Sequence, residues 1–251
     1  MHTRLETSIA GKHALIIGAS GGIGKAVAEA LAAEGVALCL HGRNQDRLDA
    51  ALSSCAARGP AGLPLRGILA DLASGNPPEA LLREAQEADL LVLAYGPFVY
   101  KSLEDTSDED WRHMALLNLA LPGILSTNAA RHMAVRGFGR ILFFGGTRTD
   151  AIRGYKLNAA YAAAKTGLGV LAKSLAQEYS NRGVSCAVLC PGFVDTEYIS
   201  DTMRESLIIR APRGRLLLPE ELGKAALGLL SGAMELYNGA LINADEGLYA
   251  L

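Results

Sequence analysis

Short, continuous apolar runs alternate with helix-like stretches along the whole chain. The runs are HALIIG, ALCLHG, GILAD, LLVLAYG, ILFF, SCAVLC and ALINAD. Because they do not alternate between apolar and polar residues, they predict strands that are buried on both faces. The stretches between them predict helices over 25–35, 47–58, 78–88, 106–136, 159–181 and 219–232. This order predicts an α/β fold, a single-domain doubly wound parallel sheet with helices on both faces.

Two of the predicted helices carry recognisable end signals. The segment TSDE predicts a capping box at Thr106, because Glu109 can reach back to the start of the helix. That helix is expected to continue through Asn118. Pro219 and Gly232 are typical of the first turn and the carboxyl end of a later helix.

Composition excludes several classes of protein. Half of the 251 residues are hydrophobic, which allows a substantial core, and the net charge is −2. The chain has no basic face for nucleic acid and no polybasic segment for an acidic membrane. Its apolar runs are too short to span a bilayer, and its N-terminal segment is too polar for a signal peptide. We therefore expect one soluble, cytoplasmic domain over 1–251, without nucleic-acid or membrane partners.

The cysteines and histidines form neither a disulfide framework nor a metal site. None of the cysteines belongs to a CxxC pair, and we expect buried thiols at Cys39, Cys55, Cys186 and Cys190. The histidines are scattered without ligand spacing, at His2, His13, His41, His113 and His132.

A glycine-rich turn follows the first predicted strand. In IIGASGGIGKAVA, Gly18, Gly22 and Gly24 lie between a strand and a helix. Glycines allow the backbone to approach phosphate closely, and the helix N-terminus offers unpaired N–H groups to an anion. The spacing differs from the common GxGxxG fingerprint and alone is compatible with a plain tight turn. In its strand–turn–helix context it predicts a dinucleotide site and a Rossmann fold.

The end of the second predicted strand indicates which dinucleotide is bound. In Rossmann folds a carboxylate here favours the 2′-hydroxyl of NAD, whereas an arginine accommodates the 2′-phosphate of NADP. This chain has Gly42 and Arg43 at that point, and no carboxylate. We infer NADP(H) as the cofactor; the alternative is that Arg43 is a solvated surface residue. His41 could also lie near the adenosine.

A tyrosine and a lysine form the candidate acid–base pair. Tyr161 and Lys165 are four residues apart in a predicted helix and therefore share one face. The pKa of free tyrosine is about 10, and a nearby ammonium lowers it by stabilising the phenolate. The tyrosine can then pass a proton to a carbonyl oxygen while a hydride arrives from a nicotinamide.

In these motifs and their order the chain resembles the short-chain dehydrogenase/reductase (SDR) family, and in general most its 3-oxoacyl-thioester reductases. IGASGGIG resembles the family's turn TGxxxGIG, LLNLALPG the helix with the catalytic asparagine, AAYAAAKTGL the catalytic helix, and CPGFVDT the segment after strand six. The resemblance implies that Tyr161 is the acid–base, that Lys165 binds the nicotinamide ribose and lowers the tyrosine pKa, and that Asn118 anchors a relay water. It implies cofactor contacts at Gly18, Ser20, Gly22, Ile23, Gly24, Arg43, Asp71, Leu72, Ala94, Tyr95, Gly96, Tyr161, Lys165, Pro191, Gly192, Val194 and Thr196.

Two segments near the cofactor depart from the family pattern. Ile17 replaces the usual threonine of the turn, so one local hydrogen bond should be absent. LAYG replaces NNAG at 93–96, and we expect a rearranged wall there, with Tyr95 near the ribose or nicotinamide. Pro97 and Phe98 are expected to shape the mouth of the site.

The end of strand five departs as well. The family has a serine thirteen residues before the tyrosine, but that residue here is Arg148, and alignment from GRI puts Gly146 at the serine. An insertion on each side would bring Thr147 into register, and threonine has the same hydroxyl as serine. We favour Thr147 as the fourth catalytic residue. Thr149, or no hydroxyl at all, are the alternatives.

The segment at about 197–218 resembles the family's substrate lid. Its apolar residues would suit a moderately hydrophobic carbonyl compound, and its arginines an anionic handle such as that of a 3-oxoacyl thioester. An amphipathic helix packed on the domain explains the same residues.

The function that these features predict is NADP(H)-dependent reduction of a small-molecule carbonyl to an alcohol. A non-catalytic NADP(H)-binding redox sensor or interaction module is the alternative, because the LAYG and GGT segments are altered. The resemblance also implies a homotetramer or homodimer formed through the helices that contain Trp111 and Tyr161.

Overall fold

The computed structural model describes residues 8–232 and 234–248, which include a seven-stranded sheet. The strands are β1 (His13–Ile17), β2 (Ala37–Gly42), β3 (Leu65–Leu69), β4 (Leu90–Leu93), β5 (Gly139–Phe144), β6 (Val184–Pro191) and β7 (Leu241–Ala244). The α-helices are α1 (Gly22–Ala33), α2 (Gln45–Arg58), α3 (Glu79–Glu87), α4 (Asp108–Ala115), α5 (Leu121–Arg136), α6 (Ala159–Tyr179), α7 (Asp201–Arg210) and α8 (Pro219–Ser231). A π-helical segment covers Leu116–Ala120, and short 3₁₀ segments cover Ser180–Arg182 and Met234–Tyr237.

The sheet confirms the predicted doubly wound fold. Its strand order is β3-β2-β1-β4-β5-β6-β7, and every neighbouring pair is parallel. The chain winds outward in one direction from β1 and in the other from β4. A crevice therefore opens at the carboxyl ends of these two strands, where ligands bind in folds of this kind.

Hydrophobic cores lie on both faces of the sheet. On one face α1, α2 and α8 pack against the strands through residues such as Val27, Leu48 and Leu230. On the other face α3, α5 and α6 do so through residues such as Leu125 and Leu168. Burial on both faces explains why β1 and β4 and most of β5 and β6 are apolar.

The predicted capping box at Thr106 was wrong by one residue. Ser107 caps α4: its Oγ accepts the N–H of Asp110 at 3.1 Å, and the Asp110 carboxylate accepts the N–H of Ser107 at 3.0 Å. The Thr106 hydroxyl instead donates to the carbonyl of Ser102 at 2.6 Å. Strand β3 likewise begins and ends two residues earlier than its apolar run indicated.

The helix predicted over 106–136 is divided by the π-helical segment. The N–H of Leu121 donates to the carbonyl of Leu116, one residue further back than in an α-helix. Pro122 has no N–H to donate to the carbonyl of Asn118 four residues earlier, so the normal α-helical ladder cannot continue there. Asn118 therefore lies in a widened turn.

Candidate active site

The glycine-rich turn joins β1 to the N-terminus of α1. Gly18 has a φ of +82°, and a Cβ there would lie 2.8 Å from the carbonyl oxygen of Ala94. A Cβ at Gly24 would collide with the carbonyl of Gly18. Only glycine fits at either position, and the first N–H groups of α1, which begins at Gly22, remain available to an anion.

His41 braces this turn, a role that the sequence analysis did not assign to it. Its Nδ1 accepts the N–H of Gly18 at 3.3 Å, and its Nε2 lies 3.0 Å from the carbonyl oxygen of Ala70. The ring is buried, and desolvation lowers the pKa of His41, which keeps it neutral with the proton on Nε2. Ile17 cannot make the hydrogen bond expected of the family's threonine in this turn. His41, on the neighbouring strand, supplies another hydrogen bond to the turn.

The ends of β2 and β3 meet at the side of the crevice where the adenosine is expected. Arg43 is exposed, and Asp71 accepts the N–H of Ala73 at 2.9 Å. Burial raises the pKa of Tyr95. The positive charge of Arg43 acts to lower this pKa and the negative charge of Asp71 acts to raise it, so both charges lie within electrostatic reach of Tyr95. Leu72 is buried in the core, so only its backbone can face a ligand.

Lys165 connects the ends of β4 and β5. It is 4% exposed, and its Nζ donates to the carbonyl of Phe144 at 2.9 Å and to that of Tyr95 at 3.4 Å. Desolvation lowers the pKa of Lys165 to about 8. A buried ammonium at this point is held by backbone carbonyls from two strands.

Tyr161 lies one turn before Lys165 on α6, and the lysine Nζ is 5.9 Å from the centroid of its ring. Burial raises the pKa of the Tyr161 hydroxyl. Burial is the largest cause of this shift, and the expected lowering of the tyrosine pKa by Lys165 stays a prediction. The tyrosine is held in its protonated form.

Asn118 and Gly96 complete this cluster. The Nδ2 of Asn118 donates to the carbonyl of Pro97 at 3.0 Å, while its buried Oδ1 has no hydrogen-bond partner among the described residues. A Cβ at Gly96 would collide with that Oδ1 and lie 3.2 Å from Lys165 Nζ. The asparagine oxygen and the lysine ammonium thus face one small space beside Gly96, and an acceptor buried without a partner there is suited to a bound water.

Aromatic side chains form the mouth of the site. Phe98 stands edge-on to Tyr161, with 5.0 Å between the ring centroids. The ring centroid of Tyr100 lies 5.9 Å from that of Phe98. Phe98 is 50% exposed. The LAYGPF segment therefore brings an apolar, solvent-facing wall beside the candidate catalytic tyrosine.

Gly146 is the residue that faces the tyrosine hydroxyl from the end of β5. A Cβ built there would lie 3.0 Å from Tyr161 Oη. The Oγ1 of Thr149 accepts the N–H of Gly146 at 2.8 Å and closes a tight turn around it. The Oγ1 of Thr147 donates to the carbonyl of Gly192 at 3.2 Å. Both candidate hydroxyls are bonded to backbone, and the choice of Thr147 stays a prediction.

The side chains of Arg153 and Tyr155, which follow Thr149, form their bonds within their own loop. Arg153 forms an ion pair with Asp150 at 2.6 Å and donates to the carbonyl of Arg148 at 2.9 Å. The hydroxyl of Tyr155 donates to the same carbonyl at 2.8 Å. Arg148 has a φ of +67°, and these two donors accompany that unusual backbone conformation.

The segment after β6 returns to the glycine-rich turn. The N–H of Gly192 donates to the carbonyl of Ala244 at 3.0 Å, and Val194 is buried. The Cγ2 of Thr196 lies 3.6 Å from the Cβ position of Gly22. Of the other predicted cofactor residues, Ser20 lies in the turn itself, Ile23 lies in the first turn of α1, and Pro191 ends β6.

The arginines of the predicted lid are already engaged. Arg204 donates to Asp195 at 2.8 Å and to Asp201 at 2.7 Å, and Arg210 stacks over the ring of Phe193. Arg215 pairs with Glu221 and Glu246. The expectation that lid arginines hold an anionic handle stays a prediction, and Arg204 and Arg215 are already paired with carboxylates of the segment and its neighbours.

The cysteines are free and buried, as predicted. Burial raises the pKa of Cys39 and Cys55 to about 12. Residues 8–232 and 234–248 contain no cluster of three or more metal-binding side chains. Within the same ranges, no helix combines the length and apolar character needed to cross a bilayer.

Comparison with known proteins agrees with this geometry. A family model described as short chain dehydrogenase matches residues 12–206. The 3-oxoacyl-(acyl-carrier-protein) reductase of Escherichia coli K12 is 31% identical over 246 residues, which cover 95% of this chain and 98% of that protein. Gluconate 5-dehydrogenase of Gluconobacter oxydans is also 31% identical, over 96% of each chain.

A solved structure gives the same result for the fold. The 3-oxoacyl-(acyl-carrier-protein) reductase of Agrobacterium tumefaciens C58, crystallised with NADP bound, superposes with a TM-score of 0.86 at 28% identity. The match covers 96% of both chains.

Proposed function

The chain belongs to the short-chain dehydrogenase family, and we propose that it is an NADP(H)-dependent oxidoreductase that reduces a carbonyl group to an alcohol. The observation that carries the proposal is the cluster of Lys165 Nζ and Asn118 Oδ1 around Gly96, with the ring of Tyr161 beside it. A buried ammonium, an unsatisfied acceptor and a protonated phenol in one crevice are the groups that proton transfer to a carbonyl requires.

The residues of the crevice fit NADP(H). The N-terminus of α1 suits a pyrophosphate, and Arg43 is an exposed cation at the adenosine end. The related reductase of Agrobacterium tumefaciens contains NADP, which supports the same cofactor here. When bound, NADPH supplies the hydride that reduces the carbonyl carbon.

Tyr161 is the proposed acid. As the carbonyl oxygen gains negative charge, Tyr161 Oη transfers its proton to that oxygen, and the tyrosine becomes a phenolate. Because burial raises the pKa of Tyr161, the hydroxyl is protonated at neutral pH before the reaction. Lys165, with a pKa of about 8, is mostly charged at neutral pH and stabilises the phenolate. A water on Asn118 Oδ1 would link this pair to solvent and return the proton.

Arg43→Ala tests the cofactor preference. We expect the dissociation constant of NADPH to rise about tenfold or more, because a charge-assisted hydrogen bond to the 2′-phosphate is lost. The affinity for NADH, which lacks that phosphate, should change by less than about twofold. Isothermal titration calorimetry with both dinucleotides measures the difference. Equal weakening of both would show that Arg43 does not read the 2′-phosphate.

Thr147→Val tests the proposed replacement for the family serine. Thr147 would have to turn its hydroxyl from the carbonyl of Gly192 to the substrate oxygen. Valine keeps the shape and removes the donor, so we expect kcat/KM to fall about 100-fold, as for other oxyanion donors. The matched variant Thr149→Val should mainly lower the melting temperature, because that hydroxyl is buried and closes the turn around Gly146. Full activity of Thr147→Val would remove Thr147 from the catalytic set.

For the substrate we propose a moderately hydrophobic carbonyl compound, with 3-oxoacyl thioesters first. The half-exposed Phe98 and the neighbouring Tyr100 next to Tyr161 support an apolar substrate. The similarity to the reductase of Escherichia coli supports the thioester. The segment 197–218 is the proposed lid, and α7 is its helical part.

We also propose a homotetramer or homodimer. Trp111, Ile124 and Val170 are large apolar residues on α4, α5 and α6, and all are exposed, Val170 by 70%. Association of these helices between copies of the chain would bury this surface.

A further inference from the structure

An ion pair spans the glycine-rich turn. The guanidinium of Arg47 on α2 donates to the carboxylate of Glu197, the residue that follows Thr196. The two residues are 150 positions apart in the chain. Their side chains are 41% and 40% exposed, so the pair lies at the surface of the crevice and not in the core.

The pair lies directly over the N-terminus of α1. A Cβ at Gly21 would collide with both the Arg47 guanidinium and the Glu197 carboxylate. At Gly22, the first residue of α1, the second carboxylate oxygen of Glu197 is 3.7 Å from the Cβ position. The ring of Tyr198 lies 3.9 Å from the same position, and its centroid is 5.4 Å from the Arg47 guanidinium.

A carboxylate in this place is favoured by the same forces that attract a phosphate. The free N–H groups and the dipole of α1 favour negative charge at its first turn. The pyrophosphate of a dinucleotide needs that same turn, and two anions cannot share it without repulsion. The Arg47 guanidinium lies beside this turn and can pair with either anion, the Glu197 carboxylate or the pyrophosphate.

We propose that Arg47 is a pyrophosphate-binding residue of the cofactor site and that Glu197 is an internal anion which the pyrophosphate displaces. On displacement Arg47 exchanges a carboxylate for a phosphate partner, and the first residue of the proposed lid is released from the turn. The inference rests on the proposed binding of NADP(H), but it does not depend on the reaction or on the substrate.

The two halves of the exchange predict opposite effects on dinucleotide affinity. Arg47→Ala should raise the dissociation constants of NADPH and NADH alike by about tenfold, since both contain the pyrophosphate. Glu197→Gln removes the competing charge and keeps the side-chain shape. It should lower both dissociation constants by about threefold, the size typical of one exposed charge interaction.

Isothermal titration calorimetry with NADPH and with NADH measures these changes, and melting temperatures establish that each variant is folded. The matched control is Arg83→Ala, which removes a cation from an exposed ion pair with Glu79 on α3 and should leave both affinities unchanged. Tighter binding by Glu197→Gln cannot arise from damage to the fold.

Each contrary result has a separate meaning. Loss of NADPH affinity alone in Arg47→Ala would assign Arg47 to the 2′-phosphate and overturn the proposal. Unchanged or weaker binding by Glu197→Gln would also overturn it, since Glu197 would then not compete with the cofactor. Failure of the wild-type protein to bind either dinucleotide would instead reject the proposed function itself.

Discussion

Replacement of Tyr161 by phenylalanine is expected to lower kcat by about a thousandfold or more, with NADPH binding within about twofold of wild type. The change removes one oxygen, the only one on this side chain that can give a proton to the substrate. The ring, its edge-on contact with Phe98 and its packing beside Lys165 remain. NADPH consumption in the presence of acetoacetyl thioesters and a panel of other carbonyl compounds measures kcat, and calorimetry measures binding.

Tyr155→Phe is the matched control for this variant. Tyr155 lies six residues earlier, and its hydroxyl donates to the carbonyl of Arg148 within the loop. The same chemical change there should lower activity by less than about tenfold, with a loss of stability of about 1 kcal/mol from one hydrogen bond. Activity of Tyr161→Phe within tenfold of wild type would reject the proposed acid. Tight NADPH binding by the wild type without turnover of any carbonyl would favour the non-catalytic sensor.

Replacement of Gly96 by alanine is expected to lower kcat/KM by about a hundredfold. The new methyl group would occupy the space between Asn118 Oδ1 and Lys165 Nζ, and one of the two groups would have to move. Displacement of a positioning group by about 1 Å is enough for a loss of this size. The φ of +156° at Gly96 adds strain for any other residue, so a loss of about 1–3 kcal/mol in the free energy of unfolding should accompany it.

Gly228→Ala on α8 is the control for an added methyl group. Nothing lies within 4 Å of its Cβ position, so the variant should keep full activity. It should be more stable by up to about 1 kcal/mol, because alanine is the better helix former. Circular dichroism melts and kcat/KM on the same substrate compare the two variants. If Gly96→Ala is as active as Gly228→Ala, the space beside Asn118 and Lys165 has no catalytic importance.

The strands and the order of the motifs could be predicted because they depend on local sequence. Burial on both faces requires unbroken apolar runs, so the core strands were visible as such runs. Tyr161 and Lys165 were assigned to one helix face because the helical repeat brings residues four apart together. The start of α8 at Pro219 followed from the missing N–H of proline.

Features that depend on which hydrogen-bond partner a polar group finds in the fold could not be predicted. Thr106 and Ser107 both offer a capping hydroxyl in the sequence, and only the structure shows that Ser107 caps α4 while the Thr106 hydroxyl donates to the carbonyl of Ser102. His41 gave no signal beyond its position at the end of an apolar run, because its two partners come from other strand ends. The directions in which the hydroxyls of Thr147 and Thr149 point depend in the same way on nearby backbone groups.

The position of β1 between β2 and β4 has a consequence for synthesis of the chain. β1 can pair with β2 once both have emerged from the ribosome, but its other edge has no partner strand until β4 has been made. During that interval the edge exposes unpaired backbone groups flanked by apolar side chains, the kind of surface that mispairs with other chains. The contact of Gly18 with Ala94 cannot form until the same moment. The glycine-rich turn is therefore completed only after β4 has been made, and we expect no stabilisation of the nascent chain by cofactor before then.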